Sequence, residues 1–444
     1  WIDIPVNYQG CYIETDELRG YDPSENAVES PMPVEKPVVT EIIGKIKDAK
    51  RPVLYAGNGI RLSEGYNEFR KAVEKLGIPV VTCWDSIDAI EDENPLYVGR
   101  GGIMGDRAGN FAVQNADLVL AVGNRLSIRQ VGYSWKTWAR EAYVIMVDVD
   151  PAELKKTTLH VELPVCADAK DFFIQMNEQL ADVKTPAFTG NEWISKCQEW
   201  KKNYPVTQPK HWEEDGKYAN VYAFIKYLSQ SLPKGNMTVV SNGSACVVGS
   251  HNYVIQKDAR FLINSAVASM GYGLPAAIGA CIATGKKMTI CLEGDGSIMM
   301  NLQELQTVLT NQLPIKIFVI NNQGYHSIRQ TQNNLFKEHC KIGIGPESGD
   351  LSFPDFSKLS KAFGYTYLEA HSNAQMKEMV DQALKMDGTV FCEVFVSSEQ
   401  NFEPKSATKR LEDGTLVSPP LEDLAPFLPR EEVLKNLYVN PVEE

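Results

Sequence analysis

Residues 285–329 constrain the fold of this chain more than any other stretch of its sequence. Two apolar runs, 288–292 and 315–320, each end in a turn that is rich in glycine or asparagine. A predicted helix, 299–310, separates the two runs. Two strands joined by one helix of this length lie parallel, so the stretch predicts a βαβ crossover in an α/β fold.

Polar side chains follow both predicted strands. Asp295 lies in the turn after the first strand, and Asn322 and Gly324 lie in the turn after the second. The carboxyl ends of parallel strands meet at the edge where open α/β sheets bind ligands, so we expect these residues to lie close together. A carboxylate oxygen, an amide oxygen and a main-chain oxygen near Gly324 suit Mg²⁺ that carries a diphosphate. The helix that Ser297 is placed to cap would direct its first N–H groups at the phosphates.

These two turns together predict a diphosphate cradle in which Asp295, Asn322 and Gly324 bind the metal. Either turn alone would indicate only a loop, because Asp-Gly and Asn-Asn pairs are common turn sequences. The alternative is a pair of structural turns in some other α/β fold.

The size and charge of the chain narrow its class. At 444 residues it exceeds one ordinary domain, so two domains are expected. The net charge of −13 argues against nucleic acid or an anionic membrane as a partner. Nine cysteines without a C-x-x-C pair favour reduced thiols over a disulfide framework or a zinc site. No apolar run approaches the ~18 residues of a membrane span, so a cytoplasmic enzyme is expected.

Helices and β-rich runs alternate from residue 37 to 182, which predicts a doubly wound parallel sheet. The predicted helices are 38–49, 63–76 and 108–115, and the predicted strands are 52–56, 78–82, 118–122 and 143–148, the last of this middle domain. A C-terminal domain of the same class is predicted at 183–400, followed by a surface tail at 401–444. Gly57 and Gly59 lack the third glycine of a dinucleotide fingerprint, so a plain strand-to-helix turn is favoured over an NAD site.

The spacing of the two turns resembles a known motif. The sequence Gly-Asp-Gly at 294–296, followed after 24 residues by Asn-Asn, resembles the thiamine-diphosphate-binding motif of enzymes such as acetohydroxyacid synthase, pyruvate decarboxylase and glyoxylate carboligase. The resemblance implies thiamine diphosphate and Mg²⁺ as cofactors. Together with the predicted cradle, it places the following residues at the cofactor: Gly243, Ser244, Met270, Gly271, Tyr272, Gly294, Asp295, Gly296, Ser297, Asn322, Gly324, Tyr325 and His326.

Three of the candidate residues have an ordinary structural alternative. Met270 matches the apolar residue that supports the bent cofactor in this family, although a methionine there could also fill the core. His326 could donate or accept a proton near the reacting carbon, or it could pack on its helix. Arg129 matches a family arginine that helps to bind the second 2-oxo acid, whereas a surface salt bridge is the alternative.

The middle domain resembles that of the acetohydroxyacid synthase group, which in several members holds a non-redox FAD. Residues 99–105 and 123–129 fall where that group has its flavin-contacting loops. In the family the second loop carries two acidic residues, but Ser127 and Ile128 replace them here. FAD is therefore a possible cofactor that the sequence neither requires nor excludes. A glycine-rich segment, 343–352, predicts a mobile lid or an inert surface loop.

Residues 1–36 resemble the end of the family's N-terminal pyrimidine-binding domain, with a last strand at 1–6, and a linker. In most of the family that domain carries the glutamate that activates the cofactor, so no catalytic glutamate is assigned in this chain. The resemblance implies a homodimer or tetramer, or a partner that supplies the pyrimidine-binding domain. The isolated chain is expected to bind cofactor weakly and turn over slowly unless a partner or an upstream segment supplies that glutamate.

The resemblance implies a decarboxylating carboligase that acts on pyruvate or a similar 2-oxo acid, as acetolactate synthase does. Thr331 stands where plant and bacterial acetohydroxyacid synthases have a tryptophan in the second-substrate pocket, so the acceptor is not implied. The alternatives are a 2-oxo acid decarboxylase, a flavin-dependent oxidase of the same fold, or a non-catalytic scaffold. The cradle argues against a scaffold, which has no need of metal-binding oxygens.

Overall fold

The computed structural model describes residues 2–26, 31, 33–182, 185–214, 216–336, 341–410 and 414–442. In these ranges the chain forms two six-stranded sheets in which every strand pairing is parallel, and helices flank both sheets. The predicted α/β class with two doubly wound domains is therefore confirmed. None of the helices in the described ranges has the length and apolar character that a bilayer crossing needs.

The first sheet has the strand order β3-β2-β1-β4-β5-β6. Its strands are β1 Pro52–Ala56, β2 Val80–Thr82, β3 Tyr97–Arg100, β4 Leu118–Val122, β5 Tyr143–Asp148 and β6 Leu163–Cys166. The helices in this part of the chain are α1 Val6–Gln9, α2 Lys36–Asp48, α3 Gly59–Leu62, α4 Tyr66–Leu76, α5 Arg107–Gln114, α6 Ile128–Val131, α7 Pro151–Leu154, α8 Ala169–Gln179 and α9 Asn191–Asn203. β1 and β4 are apolar throughout and completely buried, as strands covered on both faces must be.

The second sheet has the strand order β11-β12-β10-β9-β7-β8. Its strands are β7 Met237–Val240, β8 Arg260–Ile263, β9 Thr289–Gly294, β10 Ile315–Asn321, β11 Thr366–Ala370 and β12 Val390–Phe395. Its helices are α10 Val221–Ser231, α11 Gly243–Asn252, α12 Gly273–Ala283, α13 Asp295–Ile298, α14 Glu304–Thr310, α15 His326–Leu335, α16 Phe356–Phe363 and α17 Asn373–Lys385. β9 and β10 are paired with Gly294 opposite Ile320, so their carboxyl ends lie at one edge as predicted.

The C-terminal segment packs on the first domain. It contains a short hairpin, β13 Lys409–Arg410 and β14 Leu416–Val417, and the helix α18 Arg430–Lys435. The indole of Trp200 donates a 2.7 Å hydrogen bond to Asn436, and the amide of Asn115 donates a 3.0 Å bond to the carbonyl of the same residue. Buried polar contacts of this kind fix the segment to α5 and α9.

Two predicted helices are shorter than expected. The chain breaks the predicted helix 63–76 at Glu64, which has a φ of 58° and so cannot continue a right-handed helix. The predicted helix 299–310 is divided, because a 3₁₀ turn at Met299–Asn301 precedes α14.

The sequence analysis also misjudged the edge strands of the first sheet and the N-terminal residues. Residues 143–148 are not the last strand of the first domain, because β6 follows at its edge. β3 was not predicted, and its last two residues, 99–100, were assigned to a loop, since its glycine conceals the strand pattern. The expected strand 1–6 is wrong for residues 2–5, which pair with no strand and leave Ile2 86% and Ile4 62% exposed; Trp1 lies outside the described residues.

Candidate functional site

A cavity of about 110 Å³ opens at the carboxyl ends of β9 and β10. Eleven of the thirteen predicted cofactor residues line it: Gly243, Ser244, Met270, Gly294, Asp295, Gly296, Ser297, Asn322, Gly324, Tyr325 and His326. Gly271 and Tyr272 are not among the lining residues, whereas Asn242, Ser327 and Ile328 are. The sheet edge thus assembles side chains from four separated segments around one space.

Asp295 is the acidic centre of this cavity. It is 2% exposed, and its two carboxylate oxygens accept hydrogen bonds from the main-chain N–H groups of Gly296 at 2.7 Å and Gly324 at 2.9 Å. Burial raises the pKa of this carboxyl from 3.8 to about 7, against the opposing effect of these two bonds. A buried carboxylate that is held at this free-energy cost is a site for a cation.

Asn322 presents an oxygen that has no partner. Its amide nitrogen donates a 2.9 Å hydrogen bond to the hydroxyl of Ser244, and its amide oxygen is buried without a hydrogen-bond donor. Because the Ser244 contact fixes which end of the amide faces α11, the oxygen is left for the cavity. A buried, unsatisfied oxygen costs about 1–3 kcal/mol, which a metal ion would recover.

Two glycines in the cavity wall cannot carry a side chain. A Cβ on Gly296 would lie 2.2 Å from a ring carbon of Tyr325, and a Cβ on Gly324 would lie 1.8 Å from the carbonyl oxygen of Ile344. Gly324 also has a φ of 143°, which other residues rarely adopt. The close approach of these main-chain segments keeps Asp295 in contact with the turn that follows β10.

Arg329 supports this turn, and the sequence analysis did not predict its role. The guanidinium is 1% exposed and donates to the carbonyl oxygens of Gln323 at 2.8 Å and Asn322 at 3.2 Å. It also bonds to Glu347 at 3.0 Å, and the main-chain N–H of Tyr325 donates to Ile344 at 2.8 Å. The glycine-rich segment 343–352 is therefore attached to the site by these contacts.

A second group of residues lies behind the metal side of the cavity. The Ser297 hydroxyl lies 2.7 Å from that of Ser241 and accepts a 3.0 Å bond from the N–H of Gly271. This bond holds Gly271, whose φ of 78° is readily accessible only to glycine, immediately after the cavity residue Met270. Gly271 therefore positions a lining residue without lining the cavity itself.

Glu293 is a buried carboxyl that the sequence analysis overlooked. It is 0% exposed, one oxygen accepts a 2.8 Å bond from the N–H of Leu274, and burial raises its pKa to about 7. A Cβ on Gly273 would lie 2.4 Å from this carboxylate, so a glycine must start α12. Its position on β9, before the turn, resembles that of any buried strand residue and offered no local signal.

His326 is turned into the protein. One imidazole nitrogen lies 2.7 Å from the carbonyl oxygen of Gln400, which fixes it as a donor, and the ring packs edge-on against Phe402 at 5.0 Å. Burial lowers the pKa of His326 to about 4, so the ring is neutral near pH 7. These contacts agree with the packing alternative, although the residue still lines the cavity.

Arg129 lies in α6 at the facing edge of the first domain. Its guanidinium carbon is 5.6 Å from the ring centroid of Trp84, and its charge lowers the otherwise burial-raised pKa of Cys246 in α11. α11 begins with the cavity residues Gly243 and Ser244, so the first domain does bring this cation towards the site. Whether it contacts substrate stays a prediction.

The two predicted flavin loops are engaged with the chain itself. A Cβ on Gly101 would lie 2.7 Å from the hydroxyl of Tyr55, and one on Gly102 would lie 2.2 Å from the carbonyl oxygen of Arg129. The N–H of Gly59 donates directly to the carbonyl of Gly123 at 2.8 Å. Internal packing explains these glycines, and the possible binding of FAD stays a prediction.

The cavity of the second domain does fit a metal-bound diphosphate. In the described ranges, no group of three or more His, Cys, Asp or Glu side chains could hold a metal ion by itself. Asp295 and Asn322 instead offer one carboxylate and one unsatisfied amide oxygen, a hard-oxygen set that needs a main-chain oxygen and ligand oxygens to complete six-fold coordination. This is the geometry expected for Mg²⁺ bound together with a phosphorylated ligand.

Comparison with known families defines the class of protein. Residues 39–176 match the thiamine pyrophosphate enzyme central domain, and residues 241–394 match the thiamine pyrophosphate enzyme C-terminal TPP binding domain. The first match contains all six strands of the first sheet, and the second contains β8, β9, β10, β11 and most of β12 of the second sheet but begins just after β7. The fold and the class of cofactor predicted from the sequence, thiamine diphosphate (also called thiamine pyrophosphate), are therefore confirmed.

Three of the relatives narrow the class further. The chain is 31% identical to the acetolactate synthase large subunit of Cyanidium caldarium over 426 residues, which cover 91% of this chain and 68% of that protein. It is 29% identical to the acetolactate synthase isozyme 2 large subunit of Escherichia coli (strain K12), covering 91% and 69% respectively. For the probable chloroplastic acetolactate synthase 2 of Oryza sativa subsp. japonica the identity is 31%, and only 56% of that protein is covered. The chain belongs to the acetolactate synthase family of thiamine-pyrophosphate-dependent enzymes.

Proposed function

We propose that this chain binds Mg²⁺ and thiamine diphosphate at the carboxyl ends of β9 and β10, with Asp295, Asn322 and the main chain at Gly324 as metal ligands. The observation that carries the proposal is the buried amide oxygen of Asn322, which lacks a donor and lines the same cavity as the buried carboxylate of Asp295. A cation satisfies both oxygens at once.

The residues of the chain prepare the cradle before any ligand arrives. Ser244 and Arg329 hold Asn322 by its amide nitrogen and by its carbonyl, so the oxygen that binds metal has little freedom to turn. Mg²⁺ would lower the raised pKa of Asp295 and keep its carboxylate charged at neutral pH. The cofactor, when bound, supplies the electron sink for decarboxylation of a 2-oxo acid.

The reaction we propose is the decarboxylation of pyruvate or a similar 2-oxo acid, followed by transfer of the two-carbon unit to a second carbonyl compound. Support comes from the relatives that are named as acetolactate synthases. Arg129, which the first domain directs towards α11, is the candidate for binding the carboxylate of the second substrate. Flavin has no part in the proposed reaction; an absorbance scan of the purified chain tests this.

We further propose that turnover needs a carboxylate from outside the two domains described above. Among the described residues that line the cavity, Asp295 is the one carboxylate, and the proposal assigns it to the metal. The cavity rim also exposes Met270 by 40% and Ile328 by 46%, apolar surface that another domain or a second copy could cover. A homodimer or tetramer would provide such a cover.

Binding is tested by calorimetric titration of the chain with thiamine diphosphate in the presence of Mg²⁺. We expect saturable, Mg²⁺-dependent binding that weakens at least tenfold in Asn322→Ala. Asn203→Ala, an exposed asparagine at the end of α9, is the matched control and should bind like the wild type. Equal affinity of both variants would exclude Asn322 as a ligand.

Product analysis with pyruvate tests the reaction separately. Acetolactate supports the carboligase, and acetaldehyde would indicate a simple decarboxylase. Acetate formed together with peroxide would indicate a flavin-dependent oxidase. Robust turnover by the 444-residue chain as a monomer would contradict the need for an external carboxylate.

A further inference from the structure

A second polar cavity, of about 140 Å³, lies between the two domains, away from the cofactor cradle. β3 and the start of α5 form one wall, α9 and the segment after it form another, and α10 and the end of α11 complete it. The charged residues that line it are Asp92, Arg100, Asp106, Lys201 and Lys226. A space of this size has room for several water molecules or for a compact ligand.

The carboxylates in this cavity already have donors. Asp106 caps α5, where its two oxygens accept 2.7 Å and 2.8 Å bonds from the main-chain N–H groups of Gly109 and Arg100. Asp92 accepts a 2.7 Å bond from the N–H of Ile255. Main-chain N–H groups thus bond to both carboxylates, so fewer carboxylate lone pairs remain to accept hydrogen bonds from the neighbouring cations.

The cations, in contrast, have donors to spare. A terminal nitrogen of Arg100 donates to the carbonyl oxygen of Tyr253 and lies 3.8 Å from a carboxylate oxygen of Asp92. The side chain is 4% exposed, and its Nε is buried without a hydrogen-bond partner. Lys201 donates to the carbonyl oxygens of Asp92 at 2.6 Å and Tyr97 at 3.1 Å, which leaves one N–H of its ammonium group. In the described part of the chain, the ammonium of Lys226 has neither a hydrogen bond nor an ion pair, although the side chain is half-buried.

His251 adds a neutral polar group to the same cavity. The ring is 1% exposed, and both of its nitrogens are buried without a well-formed hydrogen bond, although the main chain of Met104 is near enough to raise its pKa. Burial, together with the smaller effect of the nearby Arg100 charge, lowers its pKa to about 3, so the ring is neutral at pH 7 and carries one N–H donor. Burial likewise lowers the pKa of Lys226, with Arg100 again adding to the effect against the opposing charge of Asp92.

The charge of this cavity is opposite in sign to the net charge of the molecule. Three cations face two carboxylates in this cavity, whereas the whole chain carries a net charge of −13. Partly buried cations with unused N–H groups are costly unless an acceptor satisfies them. The acceptor must bear several oxygens and negative charge, because donors reach the cavity from Arg100, Lys226 and His251, each on a different element.

We propose that this interdomain cavity, which we call the junction cleft, binds a phosphate group through Arg100, Lys226 and His251. Tetrahedral oxygens accept hydrogen bonds from several directions, so one phosphate can bond to groups on β3, α10 and α11 together. The ligand then links the two domains without touching the thiamine diphosphate cradle. The site is distinct from the proposed cofactor site and does not depend on it.

The test is calorimetric titration of the full chain with inorganic phosphate at constant ionic strength, with chloride as the reference anion. We expect saturable binding that weakens at least tenfold in Lys226→Gln and is unchanged in Lys385→Gln, an exposed lysine at the end of α17. Phosphate that binds at the cofactor cradle is not affected by either change, so the difference between the variants isolates the junction cleft. Equal affinity in wild type and Lys226→Gln would overturn the proposal.

Two further measurements test the proposal without the Lys226→Gln variant. Ribose 5-phosphate and adenosine monophosphate are titrated alongside phosphate, and tighter binding of an ester shows that the group belongs to a larger ligand. Crystals soaked in tungstate should show an anomalous peak within hydrogen-bond distance of Arg100 Nε and Lys226 Nζ. Ordered water at that position in tungstate-soaked crystals would overturn the proposal even if Lys226→Gln did not fold.

Discussion

Replacing Asp295 by asparagine should stabilise the metal-free chain while it abolishes metal binding. Burial raises the pKa of this carboxyl from 3.8 to about 7. As the pH rises from about 4 to 7, the unfolded chain therefore releases this proton before the folded chain does, and folding stability falls across that window. Above pH 7 the loss is complete and amounts to about 4 kcal/mol, at ~1.4 kcal/mol for each pKa unit.

The asparagine variant has no ionisable group at this position and so avoids this loss of folding stability, but it makes one hydrogen bond fewer. Its single side-chain oxygen can accept from Gly296 or from Gly324, whereas the carboxylate accepts from both. A buried N–H without an acceptor costs about 1–3 kcal/mol. The variant should consequently be more stable than the wild type by about 1–3 kcal/mol at pH 8 and should show no gain at pH 4.

Urea unfolding at pH 4, 6 and 8 in the presence of EDTA measures this difference, with Asp182→Asn as an exposed control that should not differ from the wild type. Adding Mg²⁺ and thiamine diphosphate at pH 8 should raise the stability of the wild type and leave Asp295→Asn unchanged. If Asp295→Asn proves less stable than the wild type at pH 8 without metal, the buried carboxylate does not destabilise the metal-free chain, and the reasoning is refuted.

Three further changes probe the parts around this carboxylate. Gly296→Ala should destabilise the fold by about 1–3 kcal/mol in urea, because its Cβ would lie 2.2 Å from the ring of Tyr325, and adding Tyr325→Ala should restore part of that loss. Arg329→Met should cost about 3 kcal/mol in the same assay and weaken Mg²⁺ binding, since it frees the main-chain carbonyl of Asn322; an unchanged Mg²⁺ affinity would contradict the support role. In the wild type, the unfolded chain protonates His326 near pH 6.5, whereas the folded chain, with a His326 pKa of about 4, does so only at lower pH. The wild type should therefore lose about 3 kcal/mol of folding stability as the pH falls from 6.5 to 4, and His326→Gln should remove this loss. An imidazole titration by NMR with a midpoint near 6.5 would refute this last expectation.

The predictions that succeeded depend on local signals. Strands β9 and β10 are short apolar runs with turn residues at their ends, and the intervening helical sequence implies that they run parallel. Once the two strands are parallel, Asp295 and Asn322 must meet at one edge, and the structure places both in one cavity. The predictions that failed concern the margins, where β6 and β3 are shorter and carry proline or glycine that hides their pattern.

By itself the sequence determined the α/β architecture and the meeting of Asp295 and Asn322 at one edge of the second sheet. Periodicity, turn residues and the right-handed crossover are properties of neighbouring residues, so no tertiary information is needed for them. Only the tertiary structure decided which oxygen of the cradle is unsatisfied, because the hydroxyl that accepts the hydrogen bond from the Asn322 amide belongs to Ser244, 78 residues earlier in the chain. It also brought Arg100, Lys226 and His251 together from three elements. Burial and unpaired hydrogen-bond donors arise from packing between distant segments, so they cannot be predicted from the pattern of the sequence.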